Sequence, residues 1–176
     1  DHLGTALTVV NAARVSMDKH HITWEGDDAG LVNYLAKHNH WTPFSHPQIQ
    51  MREVVPIFVA RQRFKHMIGF TYNEVSRRYV DDMPSFYFPD VWRNRPEASI
   101  KQGSGGIHMN QAHWNKKYSR WIQEAANIYQ EMIDDGVAPE QARMVLPQSM
   151  MTEWYWSGSL YALAKMWGLR LQDDAQ

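Results

Sequence analysis

The sequence predicts an α+β fold in which a small, mostly antiparallel or mixed sheet packs against helices. Apolar residues recur at helical spacing in several separate stretches, and short stretches with strand-like alternation lie between them. The chain has 176 residues, enough for one domain with a sizeable core. Neither an internal repeat nor a composition shift divides it. We therefore expect a single α+β domain over residues 1–176.

The first third of the chain predicts two helices, a loop and a strand. Apolar positions on one side indicate a short helix over residues 7–15, and Gly26-Asp27-Asp28 begins a second helix that runs to Lys37. Two prolines mark residues 38–47 as a loop. Residues 48–55 alternate like a strand, and Pro56 suits the first turn of a helix that runs to about His66. We expect His2 to lie at a frayed terminus.

The middle of the chain predicts more irregular structure. Residues 68–72 are an apolar loop that contains Gly69, and residues 81–89 form a turn followed by a short strand at 85–88. Asn, Arg, Pro, Ser and Gly dominate residues 92–106, which predicts a surface loop.

The last third predicts a long amphipathic helix over residues 108–135, ending at Gly136. A short helical turn follows at 139–143, and a strand at 148–156. Ser157 then caps a last helix that runs through Leu169.

Composition excludes several classes of protein. The 18 Lys and Arg nearly balance the 19 Asp and Glu, so no overall field attracts nucleic acid and any anion site is a local cluster. The absence of cysteine excludes disulfides, thiolate zinc sites and cysteine nucleophiles. No apolar run reaches membrane-spanning length and no signal-peptide pattern opens the chain, so we expect a soluble, cytoplasmic protein without a membrane partner.

A cluster of cationic and hydrogen-bonding side chains lies within residues 58–79. Arginine and lysine donate charge-assisted hydrogen bonds to phosphate, Gln62 suits the edge of a pyrimidine, and Glu74 can accept from a ring N–H or a ribose hydroxyl. Ser76 could help to cradle a phosphate, and we favour that role over a nucleophile because no general base lies near it in sequence. The alternative is a basic helix face paired with its neighbours. The cationic residues are Arg61, Arg63, Lys65, Arg77 and Arg78.

Two further arginines, Arg143 and Arg170, adjoin apolar runs. They could converge on one anionic or carbonyl group, but each could equally be paired or snorkelling, and the helix dipole favours Arg170 at a C-terminus. His38, His40 and His46 have neither an acidic residue nor a cysteine among them, so no metal site is predicted. Dinucleotide, P-loop and nucleophile-elbow motifs are all missing from the sequence.

Four blocks in register resemble the flavin-dependent thymidylate synthases, the ThyX family. Residues 58–79 resemble its signature, whose usual form is Arg-His-Arg, seven residues, then Ser. Residues 12–16 (Ala-Ala-Arg-Val-Ser) resemble the N-terminal block, and residues 40–46 (His-Trp-Thr-Pro-Phe-Ser-His) resemble His-x-Thr-Pro-Phe-Glu-His. Residues 140–147 and the stretch from Thr152-Glu153-Trp154 to Leu169-Arg170 resemble the C-terminal blocks.

The resemblance implies the reductive methylation of dUMP to dTMP with FAD, NADPH and methylenetetrahydrofolate. The family works without a cysteine nucleophile, which fits this composition. It also implies a homotetramer whose active sites are built across subunits, and family members usually continue into a further helix at the point where this sequence ends. Methylation at the pyrimidine 5-position needs negative charge stabilised on the ring, and a preorganised guanidinium can do that.

Roles carry over by position. Arg170 matches the catalytic residue that ionises N3 of dUMP. The other positions implied to bind dUMP are Gln62, Arg63, Lys65, Glu74, Ser76, Arg77, Arg78 and Arg143. The positions implied to bind FAD are Ser16, His40, Thr42, Lys65, His66, Met67, Asn73, Glu74, Ser159, Leu160, Tyr161 and Lys165. No metal is implied.

The chain departs from the family pattern mainly on the flavin side. The usual Arg-His-Arg is replaced by Lys65-His66-Met67, which loses one bidentate guanidinium and one positive charge. Eight residues instead of the usual seven lie between Met67 and Ser76. Ser45 replaces the usual glutamate. The prediction is thus a retained dUMP site with altered flavin contacts. Two alternatives stay open: a flavin- or nucleotide-binding protein that has lost catalysis, and a structural domain with a solvated basic helix.

Overall fold

The computed structural model describes residues 1–80, 82–97 and 103–172. Four strands form a sheet in the order β1-β2-β4-β3, and β1 pairs antiparallel with β2, placing His2 opposite Ile49. In chain order the elements are β1 (His2–Leu3), α1 (Ala6–Arg14), α2 (Asp28–Lys37), β2 (Gln48–Pro56), α3 (Ile57–Arg63), β3 (Phe70–Glu74), α4 (Gln111–Asp134), α5 (Pro139–Ala142), β4 (Met151–Ser159) and α6 (Leu160–Arg170). The predicted α+β class, a small sheet with helices, is confirmed.

The chain divides into two compact units. The first contains Asp1–Glu53, His66–Asn73 and Tyr155–Leu171, and the second contains Val54–Lys65, Glu74–Trp154 and residue 172. That residues 1–176 form one domain stays a prediction.

The first unit has its core between α1, α2 and α6. Helix α1 packs against α2 and against the short 3-10 turn Thr42–Ser45, which also contacts α6. Val9 and Val10 are fully buried, as is expected for the inward side of an amphipathic helix. Thr5 caps α1 through a capping box with Thr8.

The second unit is built around α4. Its apolar stripe recurs at helical spacing and is buried: Ile122, Ala125, Ala126 and Tyr129. Helix α4 also contacts α5. Phe64 and Trp154 meet edge to face with ring centroids 5.1 Å apart, so the residues after α3 pack on β4.

Five local predictions were wrong. The helix predicted from Pro56 to about His66 is α3, which begins at Ile57 and ends at Arg63. Pro56 is the last residue of β2 and not part of the first helical turn. The apolar loop at 68–72 becomes strand β3 from Phe70, because it pairs with β4. The predicted strand at 85–88 is an isolated bridge between Phe86 and Met150.

The remaining two concern the ends of the chain. His2 is not frayed, because it lies in β1 and pairs with Ile49 of β2. The cap of the last helix is Ser159, since β4 continues to that residue. Part of the predicted 92–106 loop and the four C-terminal residues lie outside the described residues.

Candidate functional site

In the first unit, the last residue of α6 is joined to the signature segment. Arg170 Nε donates to His66 Nε2 at 2.9 Å. A guanidinium group has donors only, so this ring nitrogen of His66 is the acceptor and carries no proton. The imidazole is therefore neutral, with its proton on Nδ1. The Tyr72 hydroxyl donates to the His66 carbonyl oxygen at 2.8 Å and fixes the backbone beside it. Arg170 is thus held by a positioned neutral histidine.

An aromatic pair, Trp41 and Tyr161, lies nearby in the same unit. The ring centroids are 5.7 Å apart, and Lys165 Nζ lies 5.5 Å from the Tyr161 centroid. Both rings line a cavity of about 290 Å³ that also contains His40, Leu160 and Lys165. They also line a cavity of about 500 Å³ that includes Ser159 and Ile68. Five residues predicted to bind FAD come together here: His40, Ser159, Leu160, Tyr161 and Lys165.

Gly69 brings the signature segment close to the start of α6. Its φ is +76°, and a Cβ there would lie 2.8 Å from the Ala162 Cβ. Ser159 Oγ accepts from the Ala162 N–H at 3.2 Å and caps α6. A side chain at position 69 would force these two segments apart.

The composition of this region fits a flavin nucleotide. Aromatic rings offer stacking surfaces for a flat ring system, and Lys165 offers a cation for a phosphate. The other seven positions predicted to bind FAD do not belong to the described lining of these two cavities: Ser16, Thr42, Lys65, His66, Met67, Asn73 and Glu74. Thr42 directly follows Trp41 and begins the 3-10 turn, so it adjoins the aromatic pair in sequence. Met67 is 73% exposed.

The second unit contains a cavity of about 440 Å³ that we call the basic cavity. Its charged lining consists of Arg61, Arg77, Arg143 and Glu74. Three cations and one carboxylate in one cavity suit an anionic ligand that also offers a hydrogen-bond donor. Arg77 Nη1 donates to the backbone oxygen of Asp82, and Arg143 Nε donates to the Glu140 carbonyl oxygen at 3.2 Å. Three of the residues predicted to bind dUMP therefore line this cavity: Glu74, Arg77 and Arg143.

The other predicted dUMP positions of this unit lie outside the basic cavity's described lining: Gln62, Arg63, Lys65, Ser76 and Arg78. Ser76 Oγ accepts from the backbone N–H and from Nε of Arg78, each at 3.4 Å. This turn orients the Arg78 side chain.

Sequence reasoning missed three residues at these sites. Arg61 lines the basic cavity; the sequence placed it in the cationic cluster of residues 58–79, but the family resemblance implied no dUMP contact for it. Trp41 lines both cavities of the first unit, within the block at residues 40–46. Thr152 Oγ1 donates to Glu74 Oε1 at 2.6 Å, within the Thr-Glu-Trp block.

Arg14 of the N-terminal block belongs to a charge cluster around the buried Asp28. Asp28 is fully buried and pairs with Arg14 Nη2 at 3.2 Å and with His21 Nδ1 at 3.0 Å. Burial alone would raise the pKa of Asp28, but the Glu25 backbone N–H, His21 and Arg14 outweigh burial and hold the pKa below its usual value. The hydrogen bond to Asp27 raises the pKa of Arg14 further. The arginine of this block thus anchors the start of α2.

The described residues contain neither a membrane-spanning helix nor a metal-binding cluster. No helix there is both long and apolar enough to cross a membrane. No group of three or more His, Cys, Asp or Glu in that part of the chain could hold a metal ion.

Comparison with known proteins places the chain among relatives of one kind. The family model described as thymidylate synthase complementing protein matches residues 1–176. Over its whole length the chain is 37% identical to the flavin-dependent thymidylate synthase of Thermus thermophilus and spans 64% of that relative. It is 38% identical to the enzyme of the same name from Thermosipho africanus, of which it spans 77%.

Two solved structures are also similar to this chain. A UMP/dUMP methylase PolB from Streptomyces cacaoi, bound with 5-Br dUMP, matches with a TM-score of 0.86 and 30% identity over 97% of this chain and 75% of that one. The same methylase bound with 5-Br UMP matches with a TM-score of 0.84 and 31% identity, over 97% of this chain and 74% of that one.

Proposed function

The chain belongs to the thymidylate synthase complementing protein family, the flavin-dependent thymidylate synthases, and from this premise we propose that it methylates dUMP to dTMP. Methylenetetrahydrofolate supplies the carbon, and FAD reduced by NADPH supplies the hydride. The observation that carries the proposal is the hydrogen bond from Arg170 Nε to a neutral His66, because it holds a guanidinium beside the signature segment.

Arg170 has the role of activating the nucleotide. Methylation at C5 requires electron density on that carbon, and this chain has no cysteine to add to the ring. A guanidinium at the N3/O2 edge stabilises the negative charge that develops on the pyrimidine. Because His66 holds Nε, the guanidinium is already oriented before the nucleotide binds, and less reorganisation is needed.

The basic cavity has the role of holding the nucleotide. Arg61, Arg77 and Arg143 supply charge-assisted hydrogen bonds for the phosphate, and the Glu74 carboxylate accepts from a ring N–H or a ribose hydroxyl. We assign the remaining contacts to the other positions implied by the family: Gln62, Arg63, Lys65, Ser76 and Arg78.

The aromatic pair of the first unit has the role of holding the flavin. Trp41 and Tyr161 offer stacking surfaces, and His40 and Lys165 offer polar contacts. The remaining flavin contacts that we propose come from Ser16, Thr42, Lys65, His66, Met67, Asn73, Glu74, Ser159 and Leu160.

We further propose that the protein is a homotetramer with active sites built across subunits, in the cytoplasm, where NADPH and folates are available. The support is the family resemblance across four sequence blocks. Light scattering tests the assembly, with a mass of four chains expected.

A second candidate substrate is UMP. The support is the fold match at a TM-score of 0.84 to a methylase bound with 5-Br UMP. Both nucleotides carry the same pyrimidine and phosphate, so only the 2′ position distinguishes them.

The test is a turnover assay on the purified protein. The proposal predicts a yellow protein whose flavin spectrum NADPH bleaches, and dTMP formation that requires both dUMP and methylenetetrahydrofolate. A parallel assay with UMP decides between the two substrates. Flavin binding without any methylated nucleotide would support the catalytically impaired alternative, and a protein that binds neither FAD nor dUMP would leave the structural alternative.

A further inference from the structure

The basic cavity contains a hydrogen bond that none of the predicted roles uses. Thr152 is 4% exposed, and its Oγ1 donates to Glu74 Oε1 at 2.6 Å. Glu74 ends β3 and Thr152 lies at the start of β4, the neighbouring strand in the sheet. The Val75 N–H donates to the Glu153 carbonyl oxygen at 2.8 Å, so backbone pairing fixes the register that brings the two side chains together.

The length and direction of this bond identify its chemistry. A distance of 2.6 Å is typical of a hydroxyl donating to an ionised carboxylate. A threonine hydroxyl has a single proton, so while it donates to Glu74 it can donate to no other acceptor. An ionised carboxylate has about four lone-pair positions, and Thr152 occupies one on Oε1. The carboxylate is therefore held from the buried side, while the Glu74 residue as a whole is exposed.

The anchored carboxylate stays apart from the cations around it. Arg61, Arg77 and Arg143 line the same cavity, yet in the described part of the chain no ion pair within 4.0 Å joins Glu74 to any of them. A free glutamate among three guanidinium groups would be drawn to one of them. Thr152 opposes this by holding Oε1, which leaves the arginines available for an anion.

We propose that Thr152 is a positioning residue that orients the Glu74 carboxylate toward a hydrogen-bond donor of the bound nucleotide. The donor is a ring N–H or a ribose hydroxyl. The inference rests on the proposed function, because it takes the basic cavity as the nucleotide site. Thr152 itself makes no contact with the nucleotide in this account.

The test begins with three single variants of the holoenzyme. Thr152→Val keeps the shape and removes the hydroxyl, whereas Thr152→Ser keeps the hydroxyl. Thr71→Val, at an exposed site on β3, is the matched control for a lost threonine hydroxyl. The readouts are the KM and kcat for dUMP, the dissociation constant of dUMP by calorimetry, and the melting temperature.

Thr152→Val is expected to raise both the KM and the dissociation constant for dUMP roughly tenfold, with a smaller change in kcat. Thr152→Ser restores most of the affinity, and Thr71→Val leaves it at the wild-type value. In a Glu74→Gln background, Thr152→Val adds little further loss, because the group that it positions has been changed.

Two results with the Thr152 variants would overturn the proposal. One is a lower melting temperature and kcat for Thr152→Val with unchanged dUMP affinity, which would make Thr152 a structural residue. The other is additive losses in the double variant. Wild-type protein that binds dUMP without methylating it would contradict the proposed function only, since the dissociation constants still test Thr152. Wild-type protein that binds no dUMP would overturn both.

Discussion

Arg170 donates from Nε to Nε2 of His66 across 2.9 Å, although 104 positions separate the two residues in the chain. The bond links the end of α6 to the signature segment. It also sets the tautomer of His66, because the accepting nitrogen cannot carry a proton. The histidine of the signature therefore has a role toward an arginine of this chain, in addition to the flavin contact that its position implies.

Replacing His66 tests this link. His66→Ala removes the acceptor and frees the guanidinium, so we expect kcat for dUMP to fall roughly tenfold or more, at saturating FAD. His66→Gln offers a carbonyl oxygen as a substitute acceptor and should recover part of the rate. Equal rates in the two variants would show that the hydrogen bond does not matter for turnover.

The exposed Met67 offers a gain-of-affinity test. Met67→Arg restores the charge that the family motif usually has, and we expect FAD to bind roughly tenfold more tightly by fluorescence titration. Ile22→Arg is the matched control, because it adds the same charge at a side chain that is also 87% exposed and that has no place in the proposed flavin site. Equal tightening by both would indicate a general charge effect and not the motif.

Gly69 is expected to contribute to the stability of the folded chain. Gly69→Ala places a methyl group 2.8 Å from the Ala162 Cβ at a φ of +76°, and should cost about 1–3 kcal/mol of unfolding free energy. Gly168→Ala, inside α6 and with no atom beyond its chain neighbours and the helix backbone within 4 Å of the added carbon, should be neutral or stabilise by up to about 1 kcal/mol. Urea unfolding measures both, and equal stability of the two variants would contradict the close approach.

The Asp28 cluster predicts a stability that falls in acid. The pKa of Asp28 is lower in the folded chain than in the unfolded one, so the folded state binds this proton less tightly. The stabilisation is present above the unfolded pKa of about 3.9 and is lost as the pH falls through the folded pKa. Asp28→Asn should lower the urea midpoint at pH 7 and weaken this acid dependence.

Asp27→Asn is the control for this cluster. Asp27 also pairs with Arg14, at 2.9 Å, but its side chain is 70% exposed, so its loss should cost much less. Midpoints lowered equally by the two variants would show that the burial of Asp28 has no special effect.

The sequence predicted the elements whose signals are local. Helices α1, α2 and α4 carry apolar stripes at helical spacing, and their observed bounds lie within three residues of the predicted ones. Strand β3 was missed because Phe70–Glu74 is short, follows a glycine and exists through pairing with β4. Ser157 and Ser159 are equally good caps by residue type, and only the length of β4 decides between them.

In the candidate site, too, the residues with a local sequence signal were predicted, and a contact that depends on strand pairing was not. The family resemblance named Glu74, Arg77 and Arg143, and the structure gathers all three around one cavity. The resemblance assigned no role to Thr152, because the contact of Thr152 with Glu74 spans 78 positions and depends on strand register. A contact of that kind has no signal in local sequence.

Arg170→Ala gives the most direct test of the central claim, that this chain activates dUMP with a guanidinium instead of a cysteine. The measurement is kcat for dTMP formation from dUMP, with FAD content determined from the flavin absorbance. Loss of a preorganised charge-stabilising donor should lower kcat by roughly 10²–10³ while FAD stays bound. Near wild-type dTMP formation by the FAD-loaded variant would contradict the assignment of Arg170.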